Sequence, residues 1–222
     1  MIGDRKAFIR ANTRLTPVPH VPEILLYVAD ESVPIWLKTE EELSTLGLPP
    51  PYWAFAWAGG QALARYVLDH PQAVAGKRVL DLAAGSGLVG IAAAKAGAAP
   101  VTAVDIDAFT EAAVALNGAA NDVYVDVTIL DILDHRPAAE PRHDVILVGD
   151  LFYERDTAAR ALAFLERHAA IGTRVLIGDP GRAYLPKERL TRLAEYSVPV
   201  TRELEDLDIK RTTVWELVPR PA

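Results

Sequence analysis

Three glycines and a nearby acid stand in a spacing that suits nucleotide binding. Gly85, Gly87 and Gly90 form a G-x-G-x-x-G pattern directly after the apolar run VLDL. Small residues at such a turn let the backbone approach a ligand, and the helix that follows offers its positively polarised N-terminus. The pattern is short, so a tight turn with close helix-to-sheet packing is the alternative interpretation.

An acid before this turn gives it a preference among ligands. Asp81 extends the pattern to D-x-A-x-G-x-G, with Ala83 between the acid and Gly85. A carboxylate here would repel a pyrophosphate, whereas it can accept a hydrogen bond from an ammonium group or hold water beneath a cationic ligand. The turn, with Gly85 and Gly87, therefore favours S-adenosylmethionine over a dinucleotide.

Further acids follow the next two apolar runs. Asp105 ends PVTAVD, where a carboxylate can accept hydrogen bonds from both ribose hydroxyls of either cofactor class. Asp131 follows VTIL, where an adenine amino group would lie and Ile132 can pack on the ring; a solvated strand end is the alternative for Asp131. Asp107 is predicted to cap the helix that follows it.

The stretch VILVGDLFYE ends an apolar run with an acid and two aromatic residues. Asp144 and Asp150 bracket this run and, at about 3.3 Å per residue, lie roughly 20 Å apart, so they cannot act as a carboxylate pair. Asp150 stands at the end where open α/β sheets bind ligands, and Tyr153 is close enough to share its pocket. The alternative is a helix cap, with Phe152 and Tyr153 as core residues.

The elements that must position these residues alternate along the chain. From about residue 77 to 178, short β-type runs alternate with alanine-rich helical patterns, which predicts a doubly wound, mostly parallel α/β sheet. After it, PKERLTRLAEY predicts a helix. SVPVTRELED and IKRTTVWELVP predict an antiparallel hairpin joined near Asp206 to Asp208.

The first 70 residues differ in kind, because they are rich in proline. They contain two helical patterns, TEEELSTL and GQALARYVLDH, and the alternating aromatics of WAFAW also fit a buried edge strand. We interpret residues 1–70 as an N-terminal, substrate-facing cover. Residues 1–222 are then a single domain whose cofactor-binding core is 77–222.

Composition narrows the classes of function. The formal net charge of -7 argues against a partner that is a nucleic acid or an anionic membrane. The chain has no cysteine, and its 5 histidines lack metal-binding spacing, so no metal site is predicted. No apolar segment has the length of a signal peptide or membrane span. We expect a soluble, cytoplasmic, monomeric protein.

Taken together, the motifs resemble those of the seven-β-strand protein-lysine methyltransferases. The resemblance is carried by D-x-A-x-G-x-G at 81–87, the acids Asp105 and Asp131, and D-x-x-Y at 150–153. Three more stretches, PPPYWAFAWAGGQALARYVLDHP, GDPGRAYLP and TTVWEL, are similar to the lysine methyltransferases that act on the β-subunit of electron transfer flavoprotein. The likeness covers nearly the whole chain. Ala83 departs from it, because the motif often has glycine there.

This resemblance implies a class I, Rossmann-like methyltransferase with a seven-stranded sheet and S-adenosylmethionine as cofactor. It implies a lysine of a protein as methyl acceptor, with the electron transfer flavoprotein β-subunit as the expected substrate. Another protein, such as a ribosomal protein, or a small-molecule amine is the alternative. A nicotinamide-dependent oxidoreductase is more remote, because no Tyr-x-x-x-Lys pair is evident. The resemblance also places Trp57, Ala83 and Gly149 at the cofactor.

Methyl transfer to lysine limits what the side chains can do. A free lysine has a pKa of about 10.4, so its neutral form at pH 7 costs on the order of 4 to 5 kcal/mol. An ordinary aspartate, with a pKa of about 3.9, is a poor proton acceptor. We therefore expect Asp150 to accept a hydrogen bond from the amine and aim its lone pair, with Tyr153 beside it. The predicted water-excluding and cation–π residues of the substrate pocket are Trp53, Phe55 and Phe152.

Overall fold

The computed structural model describes residues 4–29, 50–134, 143–200 and 208–219. In chain order its longer elements are α1 (Arg5–Asn12), β1 (Arg14–Val18), β2 (Val21–Val28), α2 (Ala58–Asp69), β3 (Val79–Leu82), α3 (Leu88–Lys95), β4 (Val101–Asp105), α4 (Ala108–Ala120), β5 (Asp126–Ile129), β6 (Val145–Gly149), α5 (Arg155–Ala170), β7 (Arg174–Asp179), β8 (Leu190–Pro199) and β9 (Ile209–Leu217).

Seven of these strands form one sheet in the order β5-β4-β3-β6-β7-β9-β8. The strands β3 to β7 pair in parallel, whereas β9 runs antiparallel to both β7 and β8. This arrangement confirms the predicted doubly wound sheet with a C-terminal antiparallel hairpin. The strand order reverses between β3 and β6, which is where open α/β sheets form a ligand crevice.

The central strands read as unbroken apolar runs because helices cover both faces of the sheet. Within β6, Val145 and Leu147 belong to one buried cluster, and Ile146 and Val148 belong to the other. This alternation follows the two-residue period of a strand. Asp150 follows β6, whose first four residues are buried.

The predicted helix over PKERLTRLAEY is wrong. A single 3-10 turn covers Lys187–Arg189, and the chain then enters β8 at Leu190. From there to Pro199 the strand is paired with β9, beginning with Leu190 opposite Leu217. The ladder to β9 overrides the helical preference of the segment, because tertiary pairing routinely overrides local propensity. The hairpin itself is confirmed, but its first strand begins at Leu190 and not at the predicted Ser197, and residues 201–207 lie outside the described residues.

The N-terminal segment is attached to α4 through two asparagines. Asn121 accepts a hydrogen bond from the backbone N–H of Leu25 and donates one to its carbonyl oxygen. Asn117 accepts one from the N–H of Tyr27. The β1–β2 hairpin therefore packs beside the sheet as a two-stranded unit of its own. The single domain over 1–222 stays a prediction, and TEEELSTL lies outside the described residues.

The WAFAW stretch is not an edge strand. Tyr52–Ala54 form a 3-10 turn, and the chain then extends through Trp57 into α2. Helix α2 confirms the helix predicted at GQALARYVLDH. Its first turn packs against the ends of β6 and β7 so closely that a Cβ on Gly59 would overlap the carbonyl oxygen of Gly178. This contact places the N-terminus of α2 directly over Asp150.

Candidate active site

A cavity of about 740 Å3 opens at the C-terminal ends of the parallel strands. Its size falls in the range of small-molecule sites, which is about 300 to 1,000 Å3. The cavity has a glycine-turn end, defined by Asp81, Gly85 and Asp105, and an Asp150 end, defined by Asp150 and Tyr153. The other sequence-predicted residues that line it are Trp53, Phe55, Trp57, Ala83, Asp131, Ile132 and Gly149.

The glycine-rich turn bends through left-handed backbone. Ala83, Gly85 and Gly87 have φ angles of 55°, 51° and 78°. Glycine adopts this conformation freely, whereas alanine is strained in it. Gly87 is the N-cap of α3, and a Cβ there would lie 2.8 Å from Cγ2 of Val114. Gly87 therefore serves the packing of the turn against α4 and does not line the cavity.

Asp81 is almost fully buried beneath this turn. Its Oδ2 accepts a hydrogen bond of 2.7 Å from the backbone N–H of Gly90. Burial raises the pKa of Asp81 to about 8, although the Gly90 hydrogen bond opposes the shift. A positively charged ligand group in the cavity would favour the ionised carboxylate. The side chain is thus suited to recognise a cation.

Asp105 joins the glycine-rich turn to the end of β4. Its Oδ2 accepts a hydrogen bond of 2.8 Å from the N–H of Gly85, and its Oδ1 accepts one of 2.9 Å from the N–H of Asp107. Each carboxylate oxygen keeps a further lone pair for a ligand hydroxyl. Asp107 caps α4 by accepting a hydrogen bond from the N–H of Phe109, as predicted.

Asp131 is held by an arginine that sequence reasoning did not identify. Its Oδ2 accepts a hydrogen bond of 2.7 Å from Nη2 of Arg160, whose Nε binds Asp134. The Arg160 hydrogen bond lowers the pKa of Asp131. Nearby, Ile106 and Leu130 line the cavity although both are exposed to solvent. Exposed apolar side chains at a cavity edge suit the faces of a flat ring.

At the other end of the cavity, Asp150 is buried and has a φ of 54°. Its Oδ2 accepts a hydrogen bond of 2.9 Å from the N–H of Gly60, in the first turn of α2. Its Oδ1 accepts hydrogen bonds from Nη2 and Nε of Arg182, at 2.8 and 3.2 Å. Burial raises the pKa of Asp150 to about 6, against the lowering effect of Arg182. Strained backbone of this kind is concentrated at functional sites.

The cap alternative for Asp150 is wrong, because Asp150 does not cap the helix that follows it. Helix α5 has Glu154 as its N-cap, without a side-chain cap to the helix backbone. Asp150 instead accepts a hydrogen bond from a backbone N–H in the first turn of α2. The first N–H groups of a helix have no partner within the helix, so this one is available to Asp150. The acid therefore lies at a helix N-terminus, but the helix belongs to a distant part of the sequence.

Aromatic side chains surround the Asp150 end. The Trp57 indole N–H donates to the carbonyl oxygen of Tyr52, and the Arg182 guanidinium lies 5.8 Å from the Trp57 ring centroid. Tyr52 and Tyr153 have ring centroids 5.9 Å apart. Burial raises the pKa of Tyr153 to about 12, so its hydroxyl stays protonated at neutral pH. Phe55 meets the Trp57 ring edge-on.

Two of the predicted pocket aromatics lie deeper than expected. Trp53 lines the cavity but is almost fully buried and stacks on Phe109, with ring centroids 5.3 Å apart. Phe152 has no exposed surface, does not line the cavity and packs in the cluster beneath α5. The prediction of Phe152 as a pocket residue therefore does not match its position.

Arg182 and Gly60 are the main residues that the sequence reasoning missed. One signal was present in GDPGR, because D-P-G is typical of a turn. Asp179 accepts hydrogen bonds from the N–H groups of Gly181 and Arg182, at 2.6 and 2.7 Å. This turn directs Arg182 back toward Asp150. The glycine pair at the start of α2 was the other signal.

Within residues 4–29, 50–134, 143–200 and 208–219, no group of three or more histidines and acids is arranged to hold a metal ion. No helix in those ranges is both long and apolar enough to span a membrane.

Comparison with known proteins identifies similar chains. A family model described as lysine methyltransferase matches residues 52–194. The electron transfer flavoprotein beta subunit lysine methyltransferase of Rattus norvegicus is 36% identical over 221 residues, covering 96% of this chain and 84% of its own. The Homo sapiens protein of the same name is also 36% identical, with 96% and 82% covered. A Caenorhabditis elegans homolog is 32% identical, with 93% of each chain covered.

Solved structures share the fold at lower sequence identity. A ribosomal protein methylase of Lactobacillus delbrueckii subsp. bulgaricus is 18% identical with a TM-score of 0.54, covering 75% of this chain and 81% of its own. The magnesium protoporphyrin IX methyltransferase of Synechocystis, solved with bound SAM, is 19% identical with a TM-score of 0.52, covering 73% and 80%. At these identities the likeness concerns the fold alone.

Proposed function

We propose, from the premise that this chain belongs to the lysine methyltransferase family, that it transfers a methyl group from S-adenosylmethionine to a lysine amine of a protein. One observation carries the proposal: Asp150 and Tyr153 line the same cavity as Asp81, Gly85 and Asp105. A methyl donor at the glycine-turn end and an amine at the Asp150 end would therefore meet in one space, as a direct transfer requires.

The residues of the glycine-turn end fit S-adenosylmethionine. Asp105 has lone pairs for the ribose hydroxyls, and the buried Asp81 suits the ammonium of the methionine part. Asp131 and Ile132 line the same cavity, and they would contact the adenine amino group and the ring face. The cofactor supplies a methyl group that is activated by a sulfonium sulfur. Support also comes from the related fold solved with bound SAM.

The Asp150 end supplies what the acceptor needs. Asp150 accepts a hydrogen bond from the neutral amine and orients its lone pair. Its raised pKa, about 6, is still far below that of lysine, so the proton of the amine goes to solvent before the transfer. Tyr153 offers a protonated hydroxyl, and the Trp57 ring lies within cation–π range of a charge beside Asp150.

We further propose the β-subunit of electron transfer flavoprotein as the substrate. The support is the name of the relatives, which this chain matches over 96% of its length. Tyr52 and Tyr153 are each nearly half-exposed at the Asp150 end, which suits a lysine presented by a large partner. Another protein and a small-molecule amine stay as alternatives. The cytoplasmic location, the monomeric state and the absence of a nucleic-acid partner remain predictions.

The test uses the purified protein, labelled S-adenosylmethionine and an extract of a strain that lacks the gene. We expect one labelled band at the size of the flavoprotein β-subunit, and the same label on the purified subunit. Asp150→Asn is the inactive control and Asp144→Asn, at the opposite end of β6, is its matched active control. Label in small molecules alone, or on a different protein, would contradict the proposed substrate.

A separate titration addresses the choice of cofactor. Calorimetry should detect binding of S-adenosylmethionine and no binding of NADH. The reverse result would support the oxidoreductase alternative, which G-x-G-x-x-G and Asp105 also allow.

A further inference from the structure

We propose that Arg182 is a positioning residue of the acceptor pocket, which holds Asp150 in place and, through its fixed positive charge, makes the pocket take the lysine as an uncharged amine. This inference rests on the proposed methyl transfer to lysine. It adds a selection step that neither the glycine-rich turn nor the D-x-x-Y motif supplies.

Arg182 is fixed from two sides. Its backbone N–H donates to Oδ1 of Asp179 at 2.7 Å, which anchors the turn after β7. Its guanidinium donates to Oδ1 of Asp150 through two nitrogens, at 2.8 and 3.2 Å, and only 20% of its side chain is exposed. Since the other Asp150 oxygen accepts the Gly60 N–H, the carboxylate is held between α2 and the end of β7. Such a pair of hydrogen bonds defines the orientation of a carboxylate.

The Arg182 guanidinium lies where the ammonium group of a substrate lysine would bind. It lies beside the Asp150 carboxylate and 5.8 Å from the Trp57 ring centroid, and both residues line the cavity. An ammonium brought to Asp150 would therefore stand next to a permanent positive charge. A nearby positive charge disfavours the charged form of a lysine amine that enters the pocket. A neutral amine meets no such repulsion, because it can donate an N–H to Asp150 and keep its lone pair free.

The other charged and titratable groups do not remove this positive charge. The segment after β6 carries Tyr153 and Glu154, and the segment before α2 carries Tyr52. The turn after β7 carries Asp179, whose charge raises the pKa of Asp150, and the next 3-10 turn begins with Lys187, whose charge lowers the pKa of Asp179. Arginine is protonated at every accessible pH, so the charge it adds to the pocket does not titrate.

Without Arg182, the buried Asp150 would attract the ammonium form of lysine. That form would bind well but lacks the lone pair that attacks the methyl group. The consequence is a split between the two kinetic constants: binding of the wrong protonation state improves while turnover falls. Turnover should then return at a pH where the bound lysine loses its proton.

The experiment measures kcat and KM for the accepted substrate between pH 6 and pH 10, for Arg182→Met, Arg182→Lys and the wild type. The pH profile of kcat reports groups in the enzyme–substrate complex. For Arg182→Met we expect a rise of kcat displaced to higher pH by about one unit or more, and a KM at pH 7 below that of the wild type. Arg182→Lys keeps the charge and should retain the wild-type midpoint.

Arg78→Met is the matched control. Arg78 also pairs with an aspartate, Asp144, at 2.9 Å, but at the opposite end of β6, so its profile should equal that of the wild type. Calorimetry with S-adenosylmethionine should give equal affinities for all variants, which separates the proposed effect from misfolding.

Two results would overturn the inference alone: a kcat profile of Arg182→Met that is lowered by one factor at every pH, and a turnover at pH 7 above that of the wild type. The second result would mean that Arg182 blocks the pocket until substrate displaces it. If the wild type methylates a small-molecule amine, the same comparison applies to that amine, and only the protein substrate is refuted. A wild type without activity on any amine would overturn both proposals.

Discussion

At the glycine-turn end of the cavity, Asp81 and Asp105 are held by backbone N–H groups of Gly90 and Gly85, which belong to the same β-α-β segment. At the Asp150 end, the carboxylate is held by residues that are 90 and 32 positions away in the sequence. The first arrangement needs only one turn between a strand and a helix. The second exists only when α2 and the end of β7 have both docked on β6.

This contrast indicates that the two ends of the cavity have separate roles. The glycine-turn end depends on the local backbone geometry of one β-α-β segment. The Asp150 end depends on the assembled sheet and on an ion pair, so substitutions there can alter the chemistry of the acceptor without disturbing the cofactor. Variants at the two ends should therefore change different properties of the enzyme.

Asp150→Asn should have the largest effect, and on turnover alone. The amide removes the charge that balances Arg182 and leaves one acceptor oxygen where the carboxylate has two. We expect kcat to fall about 1,000-fold, which corresponds to about 4 kcal/mol of transition-state free energy. The affinity for S-adenosylmethionine, measured by calorimetry, should stay within about threefold, because Asp150 lies at the other end of the cavity. A tenfold change would correspond to about 1.36 kcal/mol of binding free energy. Near-normal turnover would refute the role of Asp150.

Gly59→Ala tests whether the Asp150 end needs the close docking of α2. A Cβ at position 59 would overlap the carbonyl oxygen of Gly178 and come against Asp150, so we expect a loss of about 3 kcal/mol in the free energy of unfolding. The adjacent Gly60→Ala is the matched control. Its Cβ would meet Leu88 at an ordinary 3.8 Å, and alanine favours a helix by about 1 kcal/mol over glycine. Denaturant unfolding of both variants compares their free energies of unfolding. Equal values would show that the contact between α2 and β7 is loosely packed.

The same contrast explains what could be predicted. The glycine-turn end was predictable because its acids stand at fixed distances from the glycines in one segment, and the structure places Asp81, Asp105 and Asp131 at one cavity. The contacts of Asp150 were not, because no local pattern states that Gly60 and Arg182 reach the same carboxylate. The helix predicted over PKERLTRLAEY was wrong for a related reason. The helical preference of this segment is local, whereas its pairing with β9 depends on the rest of the sheet.

Asp81→Asn tests the electrostatic cost of the glycine-turn end. The folded protein keeps a proton on Asp81 up to a pKa of about 8, whereas the unfolded chain loses it near 3.9. The folded state therefore binds more protons between these values, and this residue makes the free energy of unfolding fall as pH rises from about 4 to 8.

Asparagine has no proton to lose, so the difference in the free energy of unfolding should shift in favour of the variant by on the order of 4 kcal/mol between pH 5 and pH 8. It should also bind S-adenosylmethionine about tenfold more weakly, because the ammonium loses a charged partner. Unfolding at several pH values and calorimetry check the two effects. A pH-independent difference in stability would contradict a protonated Asp81.

Ala83→Gly should have the smallest effect, and it concerns the one departure of the glycine-rich turn from the family pattern. Ala83 has a φ of 55°, a conformation that costs an alanine about 1 to 2 kcal/mol. Glycine removes this strain but adds freedom to the unfolded chain, which offsets about 0.4 to 1 kcal/mol. The net gain in the free energy of unfolding should be about 0.5 to 1 kcal/mol. Ala84→Gly, without the strain to relieve, should instead destabilise the protein by about 0.5 to 1 kcal/mol. Opposite signs for these neighbours in denaturant unfolding would show that backbone geometry, and not side-chain volume, selects glycine at position 83; equal signs would contradict it.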